Sequence, residues 1–319
     1  MEVAIPVFLW TDAIARGPEM TAAADGVVGA DRLPCGIKFL WNYAGNTLIN
    51  QHSNINRTHD ILVDESRCEF IVAIDTFLTA SARYADIVLP DLMPVEQPSL
   101  IANDWAGDAG YVLMNCQYLP ARGERRTLYW MLSRLAERLG FAEAFTEGKS
   151  EEEWRQVIYE AARTDDPELP SYDELLEAGL YRRDNPDGVH VAFKEFRDDP
   201  EGHPLSTPSG KIEVYSEKIL EDTAAFELEE GEIISPLPVY APPYFEPGTA
   251  DADRFPLQLI GYHHRSRAHS SYGSLDVIRE RARHQLWINP LDARPRGVED
   301  GDEVEAVSYT HLTLPTDRE

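Results

Sequence analysis

At 319 residues with a net charge of −27, the chain is long enough for two domains and strongly acidic. A nucleic-acid backbone needs clustered cations, so the sign of the charge argues against that partner class. Hydrophobic residues at 43% and charged residues at 27% describe an ordinary globular chain, with no apolar run of about 18 residues to span a membrane.

In chain order, apolar runs at residues 5–10, 37–41, 70–74 and 87–89 are bounded by turn and cap residues and read as buried strands. The first has no lead-in, basic stretch or cleavage site ahead of it, as if the chain had been cut open there. Residues 12–24, 54–63 and 80–85 read as helices. This alternation predicts an α/β domain with a parallel sheet and covering helices, over residues 1–140. Ligands of such sheets bind beyond the carboxyl ends of the strands, so polar residues just after each strand are the first candidates for function.

From residue 119 the character changes. Residues 128–139 and 151–163 have helical periodicity, with acidic starts that suit the helix dipole. Residues 165–199 read as short helices with long connections, and 211–215 as a short alternating strand. A proline-rich linker follows over residues 236–256, closing a mixed, largely irregular segment over 141–250. Residues 257–262, 286–289 and 302–307 read as strands of a β-rich domain over 251–307, too few to close a barrel or sandwich alone.

Cys35, Cys68 and Cys116 are too scattered for a C-x-x-C zinc or iron–sulfur pair or a disulfide framework. Neither G-x-G-x-x-G nor G-x-x-x-x-G-K-[ST] occurs, which disfavours an ordinary dinucleotide or P-loop site. More informative is Asp75, directly after the strand at 70–74. A carboxylate there can accept from the ring N–H and exocyclic amine of a guanine, although it equally suits a helix cap or turn. Asp86, in the repeat of that pattern, reads as structural.

Trp41-Asn42-Tyr43-Ala44-Gly45-Asn46 and Leu48-Ile49-Asn50-Gln51-His52 also follow a strand. Their amides suit a ligand's polar edges or, equally, a capped polar turn. The densest constellation is Gly261-Tyr262-His263-His264-Arg265-Ser266-Arg267-Ala268-His269-Ser270-Ser271. No further ligand at a recognisable spacing supports a metal there. Donor-rich Arg, His and Ser suit a pyrophosphate or pterin better, and a basic surface loop is the plain alternative.

These motifs, with Ala82-Arg83-Tyr84-Ala85-Asp86-Ile87-Val88-Leu89-Pro90, Thr207-Pro208-Ser209-Gly210-Lys211-Ile212-Glu213 and Trp287-Ile288-Asn289-Pro290-Leu291-Asp292-Ala293, recur in order over residues 5–307. In them the sequence closely resembles the catalytic subunit of anaerobic dimethyl sulfoxide reductases, within the molybdopterin bis-guanine dinucleotide oxidoreductases. The resemblance implies α/β domains gripping two pterin nucleotides and a C-terminal double-psi-type β-barrel, incomplete here. By motif position, Asn50, Ile74 and Asp75 would bind a guanosine portion. His263, His269, Ser270 and Ser271 would supply pterin-side contacts, with lesser roles for Thr76, Arg267 and Asn289.

The resemblance further implies a molybdenum bis(molybdopterin guanine dinucleotide) cofactor and two-electron oxygen-atom transfer from an S-oxide or N-oxide. It implies an iron–sulfur electron-transfer subunit, a membrane-anchor subunit, and a periplasmic setting or the outer face of the cytoplasmic membrane. Selenate, nitrate and formate enzymes share the scaffold, and a non-catalytic nucleotide-binding module is the alternative from another class. The cysteine cluster for a [4Fe–4S] centre and the segment with the molybdenum-ligating serine are missing, so no catalytic residue or metal ligand is assigned and a fragment without catalysis of its own is expected. Residues 308–319, with Ser308-Tyr309-Thr310-His311-Leu312, depart from the family pattern and read as a foreign tail.

Overall fold

A computed structural model describes residues 3–51, 54–102, 110–184, 188, 191–228, 232–240, 255–265, 268, 271–273, 275–281 and 285–306. Its N-terminal half is organised by a three-stranded parallel sheet of β1 (Phe39–Tyr43), β2 (Phe70–Asp75) and β3 (Ile87–Pro90), in the order β1-β2-β3. The register sets Tyr43 beside Ile74, Ile74 beside Leu89 and Asp75 beside Pro90. β2 lies between the other two strands, and Ile71, Val72, Ala73 and Ile74 are buried. A central parallel strand covered on both faces requires such a continuous apolar run.

One face packs under helices α1 (Trp10–Ala15) and α3 (Ile55–Leu62), where Ile14, Leu48, Ile61, Leu62, Cys68 and Ile71 form a core. Asn54 caps α3 by accepting the Arg57 N–H at 3.2 Å. Over the other face, α4 (Leu128–Leu139) sets Met131 against Val72 and Ile74, with Leu89 and Leu128 beside them. Thr127 starts that helix by accepting from the Trp130 N–H at 3.1 Å, and Gly140 stops it at φ 82°.

The expected strand at residues 5–10 is not formed. Val7–Leu9 is a 3-10 turn leading directly into α1. Pro6 favours a helical start, and Trp10, Ala13 and Ile14 meet the core at i, i+3, i+4 spacing. The helix expected over 12–24 is broken at Gly17-Pro18 into a 3-10 turn, Gly17–Glu19, and α2 (Ala22–Asp25). Residues 80–85 contain only a 3-10 turn, Ala82–Tyr84.

A second sheet, antiparallel, joins β4 (Ser99–Ala102), β5 (Tyr111–Asn115) and β6 (Leu180–Arg182). After the short α5 (Ala142–Thr146), helices α6 (Glu151–Asp165) and α7 (Tyr172–Ala178) pack Tyr159, Tyr172 and Leu175 against Met114. Both open with a capping box, Ser150 with Glu153 and Ser171 with Glu174.

Residues 211–215 are not a strand. The Thr207 hydroxyl donates to the Lys211 carbonyl at 2.6 Å and the Ser209 N–H to Glu213 at 2.8 Å, local bonds that compete with a ladder. No strand forms among the described residues of 255–306 either. A strand exists only through a hydrogen-bonded partner, and the described residues of these segments make no such ladder. Leu259, Ile260 and Trp287 accordingly stay 79%, 81% and 80% exposed, so these apolar side chains build no core. Tyr262 and Trp287 do bring two of the expected segments together, with ring centroids 5.6 Å apart. No helix among the described residues is long and apolar enough to cross a membrane.

Candidate functional site

The carboxyl ends of β1, β2 and β3 form a polar rim. The ladder continues one residue past the strands, with the Ala44 N–H donating to the Ile74 carbonyl at 2.8 Å and the Asp91 N–H to the Asp75 carbonyl at 3.1 Å. The Arg126 N–H adds a bond to the Pro90 carbonyl at 3.2 Å. Tyr43, Asp75 and Asp91 therefore stand at neighbouring positions along one edge.

Ala44 turns the backbone away from that edge in the left-handed region, at φ 49°, at a cost of about 1 kcal/mol for a residue with a Cβ. The following turn is tied by Asn42, whose amide donates to the Gly45 carbonyl at 2.7 Å and accepts from the Thr47 hydroxyl at 3.0 Å. Asn46 accepts from the Ser81 N–H at 2.9 Å, and the Ser81 hydroxyl accepts from the Ile49 N–H at 3.3 Å. The amides of Asn42 and Asn46 thus shape the loop, the capped-turn alternative, while Asn50 remains exposed at its end.

Asp75 is half-buried. Its Oδ1 accepts from the Phe77 N–H at 3.1 Å and the Thr76 hydroxyl at 3.5 Å. Among the described residues it enters no ion pair, and its Oδ2 has no donor there. Ile74 is fully buried beneath it and Thr76 is half-buried beside it. Asp86 does serve structure, accepting the Ile71 N–H of β2 at 2.7 Å.

Two rim residues were not singled out from the sequence. Asp91 is 6% exposed; burial foremost pushes its carboxyl above the ordinary aspartate range, and nearby Asp75 adds to this. The Leu92 N–H and the Tyr43 phenol act in the opposite sense on the same carboxyl. Burial also pushes the Tyr43 phenol up, aided by Asp91. The expectation of a buried strand at 87–89 is not met, since Ile87 and Val88 are exposed, but the rule that selected Asp75, an acid directly after an apolar run, would have found Asp91 had that run been extended by Pro90.

In the C-terminal part, His263 and Ser271 are exposed. Asn289 caps the helix Pro290–Ala293, accepting from the Leu291 N–H at 2.9 Å. Arg267, His269 and Ser270, expected on the pterin side, lie outside the described residues. Among the described residues, no three His, Cys, Asp or Glu side chains gather to hold a metal ion.

Residues 22–138 match the family description "Molybdopterin oxidoreductase" and residues 257–310 match "Molydopterin dinucleotide binding domain". The dimethyl sulfoxide reductase DmsA of Escherichia coli K12 is 49% identical over 304 residues, covering 95% of this chain and 37% of that protein. Its namesake from Haemophilus influenzae Rd is 46% identical over 304 residues, covering 95% of this chain and 38% of that protein. The chain belongs to the molybdopterin oxidoreductase family. Within this family it spans well under half the length of these curated relatives. The fold agrees: the solved acetylene hydratase of Pelobacter acetylenicus, 23% identical, superposes with a TM-score of 0.62 over 92% of this chain and 34% of its own. The rim of Asn50, Asp75 and Thr76 lies in or beside the first matched region, and His263, Ser271 and Asn289 lie in the second.

Proposed function

We propose that this chain is part of the molybdenum-containing catalytic subunit of a dimethyl sulfoxide reductase-type enzyme, and that its sheet-edge rim holds a guanosine portion of molybdopterin guanine dinucleotide. One observation carries the site: a half-buried carboxylate at the end of the central parallel strand keeps an oxygen without a donor among the described residues. Guanine presents two N–H groups side by side, which a carboxylate accepts as a pair. Asn50 would add a polar contact from the neighbouring loop, and Ile74 would provide the apolar floor. These residue types fit the group's base.

His263, Arg267, His269, Ser270 and Ser271 would contribute donors to the pterin side, from a double-psi-type barrel whose strands need further chain to pair with. Bound in the whole protein, the molybdenum cofactor supplies two-electron oxygen-atom transfer from an S-oxide or N-oxide. The chain's own residues bind and orient the nucleotide. The whole protein's partners would be an iron–sulfur electron-transfer subunit and a membrane anchor, at the outer face of the cytoplasmic membrane or in the periplasm.

The test is Asp75→Asn in the 319-residue chain, with GDP binding followed by equilibrium dialysis. Replacing one acceptor by a donor removes a charge-assisted bond of about 1.5–3 kcal/mol, about a ten- to hundredfold loss. Preference for GDP over IDP, which lacks the exocyclic amine, should disappear with it. Equal affinity of the unmodified chain for GDP and ADP would overturn the proposal.

A further inference from the structure

The chain leaves β1 directly beside Asp75: Tyr43 pairs with Ile74, and the Ala44 N–H donates to the Ile74 carbonyl at 2.8 Å. Ala44 then turns the backbone at φ 49°, and a loop runs through Gly45, Asn46, Thr47 and Leu48 toward Asn50. The polar side chains here are engaged in holding the loop, Asn42 with the Gly45 carbonyl and the Thr47 hydroxyl, and Asn46 with the Ser81 N–H. The backbone donors are not. The successive N–H groups of Gly45, Asn46, Thr47 and Leu48 have no acceptor among the described residues, whereas the next, of Ile49, is taken by the Ser81 hydroxyl. Leu48 is only 6% exposed, and an unmet donor on a buried residue calls for an acceptor.

Two further observations bear on what that acceptor is. Gly45 lies outside the left-handed region, and a Cβ there would come no closer than 3.4 Å to Thr47 Cγ2 and 3.6 Å to the Tyr43 carbonyl, which are ordinary contacts. Neither the backbone angle nor crowding within the fold demands glycine, so its remaining effect is to leave the backbone open to a closely approaching group. Residues 39–56 carry no Asp, Glu, Lys or Arg, in a chain of net charge −27. The loop is therefore free of the acids that repel an anion elsewhere on this protein. Successive backbone N–H groups in such a setting are suited to an anion. We propose that the loop 44–48 is the cradle for the phosphates of the guanine nucleotide, held by main-chain N–H groups rather than by a cation. This rests on the guanosine assignment of the rim and deepens it: Asp75 reads the base while the neighbouring loop takes the diphosphate. With its charge met by the N–H groups of the base, Asp75 need not oppose the phosphates.

The experiment measures binding of GDP, guanosine, ADP and inorganic pyrophosphate to the full chain and its variants by equilibrium dialysis. The parent should bind GDP about tenfold or more tighter than guanosine, the worth of charge-assisted bonds to phosphate. Ala44→Asp and Ala44→Asn carry side chains of one shape, both tolerated at a left-handed position, and differ by one charge. That charge should weaken GDP binding about tenfold in Ala44→Asp relative to Ala44→Asn, while the two variants bind guanosine alike. Gly45→Ala adds a methyl that the fold accommodates and the ligand does not, so the ratio of GDP to guanosine affinity should fall about fivefold or more. If GDP and guanosine bind the parent equally, or fall together in Ala44→Asp, the cradle is overturned; a loss of guanosine binding in Asp75→Asn would then leave the guanosine assignment standing. If GDP exceeds guanosine but neither Ala44→Asp nor Gly45→Ala lowers the ratio, the phosphates are held elsewhere and the cradle is overturned as well. GDP, ADP and pyrophosphate binding alike, and all weakened by Ala44→Asp, would keep the cradle and overturn the guanosine assignment. A parent chain that binds none of them overturns both.

Discussion

Replacing Ile74 by Ala tests whether the floor beneath the rim is a packed core. Ile74 is fully buried among Val72, Leu89, Leu128 and Met131, between β2 and α4. Truncation removes three carbons, at about 0.8 kcal/mol per buried methylene. The cavity left between a strand and a helix that are both held elsewhere adds to that, bringing the loss to about 3–4 kcal/mol. Ile74→Val should cost about 1 kcal/mol. Urea titration at 25 °C, followed by intrinsic fluorescence, reads both as lowered midpoints with an unchanged slope. A loss below about 1 kcal/mol for Ile74→Ala would refute the packing described for this face, and with it the claim that Asp75 stands on a fixed base.

Removing the cap of α6 with Ser150→Ala should destabilise the protein by about 1 kcal/mol, because the Glu153 N–H loses its acceptor; thermal unfolding measures it. Asp91 has a raised folded pKa, so the folded chain binds more protons than the unfolded one above the ordinary aspartate value of 3.8. Stability should therefore fall as pH rises from there through the folded value, and Asp91→Asn should flatten that limb in urea titrations at a series of pH values; an unchanged limb would count against it. Cys35 and Cys116 are exposed while Cys68 is buried with its thiol pushed up by burial, so a thiol-specific chromogenic reagent should modify two thiols in the folded chain and the third only on unfolding.

The parallel sheet was legible because its strands are apolar runs bounded by turn residues, and 70–74 and 87–89 fall within a residue of β2 and β3. Helices with a clear cap at each end were legible too: residues 128–139, opened by Thr127 and stopped by Gly140, coincide with α4. The opening segment was misjudged because Pro6 and the spacing of Trp10, Ala13 and Ile14 outweigh the β-branched look of residues 5–10. At 211–215, hydroxyls two to four residues away redirect the backbone, which an alternating pattern does not reveal. The three C-terminal runs have strand-like residues, but pairing is a property of partners and not of a segment. Within the site, Asp75 was visible from its position after a buried strand. Asp91 was not, because its place beside Asp75 comes from a register that only the folded sheet supplies.

Ser81, fully buried, receives the Ile49 N–H on its hydroxyl and gives its own N–H to Asn46. That reciprocal brace locks the loop leaving β1 to the loop leaving β2, so neither can swing without dragging the other. The entropy of holding the two loops in place is spent when the protein folds, and a ligand arriving later meets a rim already set. Loosening the brace at Ser81 would therefore slow no chemistry directly; it would return that ordering cost to the moment of capture.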